Sequence, residues 1–370
     1  MKFLFISDFE YNPNSGAGGS LLIMGEALEQ QGHIIKYIWR KEKRVVQSNN
    51  LYRFLELPLV QYNQIADYFE KQGLVDVVIA SQPHCWLAFK KLKKRFPEVL
   101  FINRTHGWEM RIAPEYWKLK HKNSSVLRSL KNKLTYILLK DCSLKTVRYS
   151  DAVLCASTDD TGFIQSSYPQ YRNRIFTISY GLSKEFIGIK LPEVSEERVL
   201  SFIYVGQYTE RKGIQDILDL FKSCTQSFKL SFIINQDALA RAQSDFEEVP
   251  NVSFYSWMDR ADLIQHYITH DVFLMPSYGE GFGKTNLEAM ACGLCVLGYR
   301  EGALSDIGRD KENALLAVPG DFKSLKANFE WCFKNPGRVR ELSKQAYRDV
   351  QELTWEQFAS KTLKIIHDLI

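Results

Sequence analysis

The chain is predicted to be an α/β protein of two parallel-sheet domains. Three observations carry this. Short apolar runs of strand length alternate with helical stretches through the first half, and the same alternation restarts at residue 201. Several runs end in glycine-rich or polar loops, as strands do where open α/β sheets bind ligands. A length of 370 residues, 45% hydrophobic and 25% charged, is enough for two separate cores.

In the first half, residues 2–7 read as a strand. Pro13, Asn14, Gly16, Gly18 and Gly19 then form a glycine-rich loop. Residues 20–31 put Leu21, Leu22, Met24, Ala27 and Leu28 on one helical face, with Gly32 to end it, and residues 34–39 return as a strand. The unit is Rossmann-like, but Gly16-Ala17-Gly18-Gly19 is not the full dinucleotide fingerprint, and no acid ends the second strand for an NAD ribose. The loop suits close approach of a phosphate or sugar, or a plain tight turn. Residues 61–72 read as a helix, 75–80 as a strand, and 86–96 as a basic helix stopped by Pro97. Residues 99–103 form a buried strand running into Thr105-His106-Gly107. His106, just past a strand end, can donate a hydrogen bond, act as a base, or serve only the structure.

Residues 111–148 are the most basic part of the chain. Arg111, Lys118, Lys120, Lys122, Arg128, Lys131, Lys133, Lys140, Lys145 and Arg148 face only Glu115 and Asp141, with leucines and aromatics interleaved. A basic amphipathic helix of this kind suits an anionic membrane surface. The other reading is a solvated face packed on the domain through its leucines. No nucleic-acid-binding motif accompanies the patch, so nucleic acid is not an expected partner. Strands at 152–156 and 174–179 close this half, and residues 190–198 read as a linker. The second half places strands at 201–205, 230–235, 252–257, 271–275, 295–298 and 314–318. Helices fill residues 324–369, with breaks near Pro336 and Thr354.

The stretch from Pro276 to Met290 carries the densest chemistry. An apolar strand leads into Gly279, Gly281 and Gly283, and helix formers follow from Lys284. Glu280 therefore sits on a glycine turn beyond a strand end, and Glu288 about one helical turn into the next helix. Two carboxylates framing a donor-rich backbone loop can hold hydroxyls and a phosphate together, as in a sugar nucleotide. A capped helix start with two surface glutamates would explain Glu288, but not three glycines around Glu280.

The formal charge of +5 is too weak to name a partner by itself. Seven scattered cysteines, an odd number, read as reduced and mostly buried. Cys292-Gly293-Leu294-Cys295 has no second pair and no nearby histidine, so it is read as structural. The apolar start is too short for a signal segment or a span, and the expected location is the cytoplasm.

Taken together, four stretches resemble the retaining, family-4 kind of GT-B glycosyltransferase. They are Glu280 to Glu288 continuing through Ala289-Met290-Ala291-Cys292-Gly293, then Val205-Gly206-Gln207 through Lys212-Gly213, Gly18-Gly19 with Gly32-His33, and Thr105-His106-Gly107. Asn313-Ala314-Leu315-Leu316 through Pro319-Gly320-Asp321 is a weaker fifth. The resemblance implies two Rossmann-like domains facing a cleft. They span residues 1–183 on the acceptor side and 184–353 on the nucleotide-sugar side, with 354–370 packing back on the first. It implies transfer of a sugar from a nucleotide-sugar to a glycan or lipid-linked acceptor hydroxyl with retention, in cell-surface polysaccharide or glycolipid synthesis. Peripheral attachment at the inner face of the membrane would run through residues 111–148.

By the same resemblance, His106, Glu280 and Lys212 are catalytic. Gln207, Arg211, Lys212, Glu280, Gly281, Phe282, Gly283, Glu288 and Trp257 hold the donor, and Gly18 and Gly19 approach the phosphates or the acceptor. No metal and no cofactor are expected, because Lys212, Arg211 and helix amides can meet the charge of the leaving diphosphate. Three departures stand out: Gln207 where the family often has Arg, Cys295 where a proline is usual, and Glu301-Gly302-Ala303 in place of a double glycine. Alternatives within reach of the same residues are a sugar-nucleotide epimerase, a phosphorylase, or a non-catalytic nucleotide-sugar-binding protein.

Overall fold

The twelve apolar runs all become strands, in two separate six-stranded sheets. The computed structural model describes residues 1–12, 16–40, 50–81, 83–112, 126–192 and 199–370, with backbone only for 17, 50–53 and 126–131. Pro13, Asn14, residues 193–198 of the linker and residues 113–125 of the basic stretch lie outside the described residues, as do the side chains of Arg128 and Lys131.

The first sheet has the order β2-β1-β3-β4-β5-β6 and every pairing is parallel. Its strands are β1 (Lys2–Ile6), β2 (Ile34–Ile38), β3 (Val77–Ser81), β4 (Leu100–Arg104), β5 (Ala152–Cys155) and β6 (Ile175–Thr177). β3 and β5 are buried along their whole length, which is why they read as continuous apolar runs rather than alternating ones. Helices α1 (Gly16–Gln30), α2 (Asn50–Gln72), α3 (Trp86–Arg95), α4 (Val126–Tyr149) and α5 (Thr158–Ser167) connect them.

The second sheet has the order β12-β11-β10-β7-β8-β9, again parallel throughout. It is built from β7 (Ser201–Val205), β8 (Lys229–Ile234), β9 (Val252–Ser256), β10 (Val272–Met275), β11 (Cys295–Tyr299) and β12 (Ala314–Ala317). Its helices are α6 (Ile214–Lys222), α7 (Leu239–Asp245), α8 (Arg260–Ile268), α9 (Lys284–Ala291), α10 (Ala303–Asp306), α11 (Phe322–Lys334) and α12 (Pro336–Val350). Phe202, Phe221, Phe329 and Leu297 are among the buried side chains of this unit's core.

The final helix, α13 (Trp355–Leu369), joins the first unit. It packs on α1, where Gln31 Nε2 donates to the Glu356 carbonyl and to Ser360 Oγ, both at 3.3 Å. Trp355 stacks on Tyr180, with ring centroids 5.4 Å apart. The described residues before Leu182 and Trp355–Ile370 thus form one unit, and those of Leu182–Thr354 the other.

Two expectations are corrected. Gly16, Gly18 and Gly19 are not a loop but the start of α1. Their low helix propensity is overridden by packing. Gly18 and Gly19 are buried, and Ser20 just after them accepts a hydrogen bond from Arg104 Nη2 at 3.1 Å. Second, the described side chains of α4 pack through a mixed face: Leu139, Cys142 and Val147 lie in a hydrophobic cluster with Tyr136 and Leu138 against it. The helix buries Leu139, Cys142 and Val147 beside Thr135, Ser143 and Thr146, and leaves Leu134, Ile137 and Leu144 exposed.

Candidate functional site in the second unit

The chain leaves β7 toward β8 and β9 on one side, and returns through β10, β11 and β12 on the other. The order therefore reverses between β7 and β10, and the crevice outside that point is where such sheets take ligands. The two loops that leave β7 and β10 carry Gln207 to Lys212 and Pro276 to Gly283.

These loops are tied together. Tyr278 N donates to the Arg211 carbonyl at 2.9 Å. Arg211 Nη1 donates to the Gly279 carbonyl. Lys212 Nζ forms an ion pair with Glu280 Oε1, and the two side chains are only 13% and 8% exposed. Burial pushes the Glu280 carboxyl up, but Lys212 and Arg211, with hydrogen bonds from Lys212 and Ser277, outweigh it and hold the group below the ordinary glutamate range. The site is thus a buried carboxylate flanked by two cations.

Glycine makes this approach possible at two places. Gly213 has φ +74°, and a Cβ there would lie 2.0 Å from the Pro276 carbonyl oxygen. Gly302 has φ +59°, and its Cβ would lie 2.8 Å from Glu280 Cβ. The Glu301-Gly302-Ala303 turn sits against the glycine loop, with Ala303 N donating to the Phe282 carbonyl at 2.6 Å.

The other donor-side candidates fall around the same edge. Gly281 and Phe282 are buried, and Gly283, in a left-handed conformation, opens α9. Glu288 is half-buried on α9; burial pushes its carboxyl up, against the pull of Lys284 and Arg260. Gln207 is exposed, and its carbonyl accepts from Tyr204 Oη at 2.7 Å. Trp257, just past β9, is 50% exposed and so is not part of the core. Cys292 and Cys295 are both buried free thiols.

Each remaining candidate belongs to the first unit. His106 follows β4, with Nδ1 3.1 Å from Tyr180 Oη and 3.4 Å from Arg104 Nη1. The Tyr180 hydroxyl donates to the Thr105 carbonyl at 3.1 Å, so the Tyr180 contact calls for a proton on Nδ1 and the Arg104 contact for a lone pair there. Arg104 itself is fully buried, with its guanidinium 4.7 Å from the Tyr180 ring centroid.

Reading the sequence alone missed Asp216, Tyr299 and the hydroxyl of Tyr278. Tyr278 Oη donates to Asp216 at 2.9 Å, and Tyr299 Oη donates to the same carboxylate at 2.8 Å. The one local signal was an acid on the apolar stripe of α6, beside the buried Ile217 and Leu220.

The fold defines a class, the two-domain GT-B architecture, with the candidate site at the switch point of the second sheet. Within it, residues 189–349 match the family model "Glycosyl transferases group 1". A curated relative, an uncharacterized glycosyltransferase of Methanocaldococcus jannaschii, is 26% identical over 224 residues. The alignment covers 60% of this chain and about three-fifths, 60%, of that relative's length. Among solved structures, the lipopolysaccharide outer core galactosyltransferase WaaB superposes with a TM-score of 0.75 at 17% identity, over 100% of both chains. Anabaena HepE in complex with UDP-glucose superposes with a TM-score of 0.69 at 14% identity, also over 100% of both.

Proposed function

We propose that the protein is a retaining, metal-independent glycosyltransferase that moves a sugar from a nucleotide-sugar to an acceptor hydroxyl. The observation that carries this is the buried Lys212–Glu280 pair, with Arg211 beside it, at the switch point of the second sheet. Donor binding would exchange partners on both sides. The diphosphate takes Lys212, and the sugar hydroxyls donate to the carboxylate that Lys212 leaves. Neither buried group is then left unpaired, which would cost several kcal/mol. Negative charge gathers on the departing nucleoside diphosphate, where Lys212, Arg211 and the amides around Phe282 and Gly283 are placed to stabilise it. Retention follows if the leaving phosphate oxygen takes the acceptor's proton as the acceptor attacks the same face.

Glu288 would hold the ribose hydroxyls, and exposed Trp257 and Gln207 would lie along the nucleoside. His106 would reach the sugar with a hydrogen bond, and Gly18 and Gly19 would serve the phosphates or the acceptor. The UDP-glucose bound by HepE makes a uridine nucleotide-sugar the first donor to try.

Glu280→Gln separates these roles. The variant keeps the shape but frees Lys212 from its anion. A nucleoside diphosphate without sugar should then bind several-fold more tightly, while sugar transfer falls on the order of 10²-fold. Calorimetric titration and product release measure the two. Equal loss of both would remove Glu280 from the sugar-binding role.

The acceptor is proposed to be a glycan or lipid-linked precursor of a cell-surface polysaccharide or glycolipid, reached from the inner face of the membrane. WaaB, a lipopolysaccharide enzyme of like fold, makes this context the natural one to test. Support from the chain itself comes from α4. Its exposed residues include Lys133, Ile137, Lys140, Leu144 and Arg148 with the single acid Asp141, while Thr135, Ser143 and Thr146 go inside beside Leu139, Cys142 and Val147. That is the composition of a helix lying in a lipid headgroup layer. No helix among the described residues is long and apolar enough to cross a membrane. Wild type should float with anionic vesicles of phosphatidylglycerol, and Lys133→Glu/Lys140→Glu should not. Flotation of both, or of neither, contradicts peripheral attachment through α4.

A further inference from the structure

Besides the backbone contacts that tie the Lys212 and Glu280 loops, a side-chain network joins the same two segments. Lys212 ends a 3-10 turn, Glu210–Lys212, and Gly213 then opens α6. Asp216 stands in the first turn of that helix, 7% exposed, where the helix dipole favours a carboxylate. Both its oxygens are used. Tyr278 Oη lies 3.1 Å from Oδ1 and 2.9 Å from Oδ2, and Tyr299 Oη lies 2.8 Å from Oδ2. Tyr278 is two residues before Glu280, Asp216 is four after Lys212, and Tyr299 is the last residue of β11. The tyrosine rings pack edge to face with centroids 5.3 Å apart.

We propose that Asp216 is a positioning residue that sets the geometry of Lys212 against Glu280, and so preorganises the cation for a nucleoside diphosphate. This rests on the functional reading above and deepens it. Asp216 belongs to the segment that carries the lysine, and Tyr278 to the segment that carries the glutamate. Their hydrogen bond is a strut between the two. Tyr299 supplies a second donor, so the carboxylate is satisfied without a cation, and no positive charge is diverted from the site. Burial holds the Asp216 carboxyl above the ordinary aspartate range, against the pull of the hydrogen bonds from Tyr299 and Tyr278. A hydrogen-bonded polar network of this kind favours one arrangement where apolar packing would tolerate several. Asp216→Asn keeps the volume but replaces one accepting oxygen with a donor, so a tyrosine hydroxyl must turn or lose its bond.

The test is a binding cycle by calorimetry with UDP, GDP and ADP on wild type, Asp216→Asn, Lys212→Met and the double variant, with melting temperatures recorded for each. Asp216→Asn should weaken the best-bound diphosphate about tenfold. In the Lys212→Met background the same substitution should have little further effect, because the group it positions is gone. Tyr278→Phe should reproduce the loss, and adding Asp216→Asn to it should add little. The same fold-loss in both backgrounds, or none in the wild-type background, overturns the proposal. If Lys212→Met binds too weakly to titrate, the Tyr278→Phe cycle decides, and additive losses there overturn the proposal. A wild type that binds none of the three diphosphates overturns the functional reading itself, and this inference with it.

Discussion

Lys212→Met should lose sugar transfer on the order of 10²- to 10³-fold, the usual effect of removing one group aimed at developing negative charge. It should also lose stability. The lysine is the main cation holding Glu280 ionised in a buried place, and breaking such a pair typically costs about 3–5 kcal/mol. The pH dependence has a definite sign. In wild type the Glu280 carboxyl is held below its ordinary range, so its contribution to stability is full above that range and fades as pH falls through the depressed value. Without Lys212 the burial that already pushes the carboxyl up is opposed mainly by Arg211, and the carboxyl rises. The folded variant then takes up a proton more readily than the unfolded chain. The gap between wild type and variant should therefore be widest near neutral pH and shrink in acid. Urea melts at several pH values, alongside transfer assays, measure both effects. A constant gap from neutral to acid pH would show that Lys212 does not control the ionisation of Glu280.

Gly213→Ala should be nearly as damaging, for a different reason. The backbone there has φ +74°, and a Cβ would meet the Pro276 carbonyl oxygen at 2.0 Å. The left-handed conformation costs a non-glycine residue roughly 1–2 kcal/mol. Relieving the clash forces the β10 loop away from the start of α6, an overpacking of about 1–3 kcal/mol more. That motion separates Lys212 from Glu280, and a displacement of about 1 Å at such a site can cost about 10²-fold in rate. Melting temperature and transfer should fall together. An alanine variant with wild-type stability and activity would mean that the two loops need not approach as closely as they do here.

Much of the fold was legible because parallel sheets are buried on both faces. Runs such as Val77–Ser81 and Val272–Met275 stand out as short, continuous and apolar. The order of the strands was not legible, since it depends on which side of the sheet each crossover takes. Nor was the start of α1, where three glycines argue for a loop until the burial of Gly18 and Gly19 is known. The mixed packing of α4 was hidden for a similar reason, because periodicity cannot say whether Ile137 or Thr146 faces inward when both kinds of residue recur at helical spacing. In the candidate site, Glu280 and Lys212 were each visible as charged residues on loops after strands. Their direct pairing was not, because it depends on β7 and β10 being neighbours. Asp216 was harder still, since its partners come from two other segments distant in the chain.

The measurement that bears most directly on the central claim is turnover of a panel of nucleotide-sugars, with release of nucleoside diphosphate followed in the presence and absence of EDTA. One donor should be bound and consumed at the same rate with and without the chelator, and its consumption should collapse in Lys212→Met. A well-folded wild type that binds and consumes none of the panel would contradict the proposed glycosyl transfer, and consumption abolished by EDTA would contradict its metal-independent form.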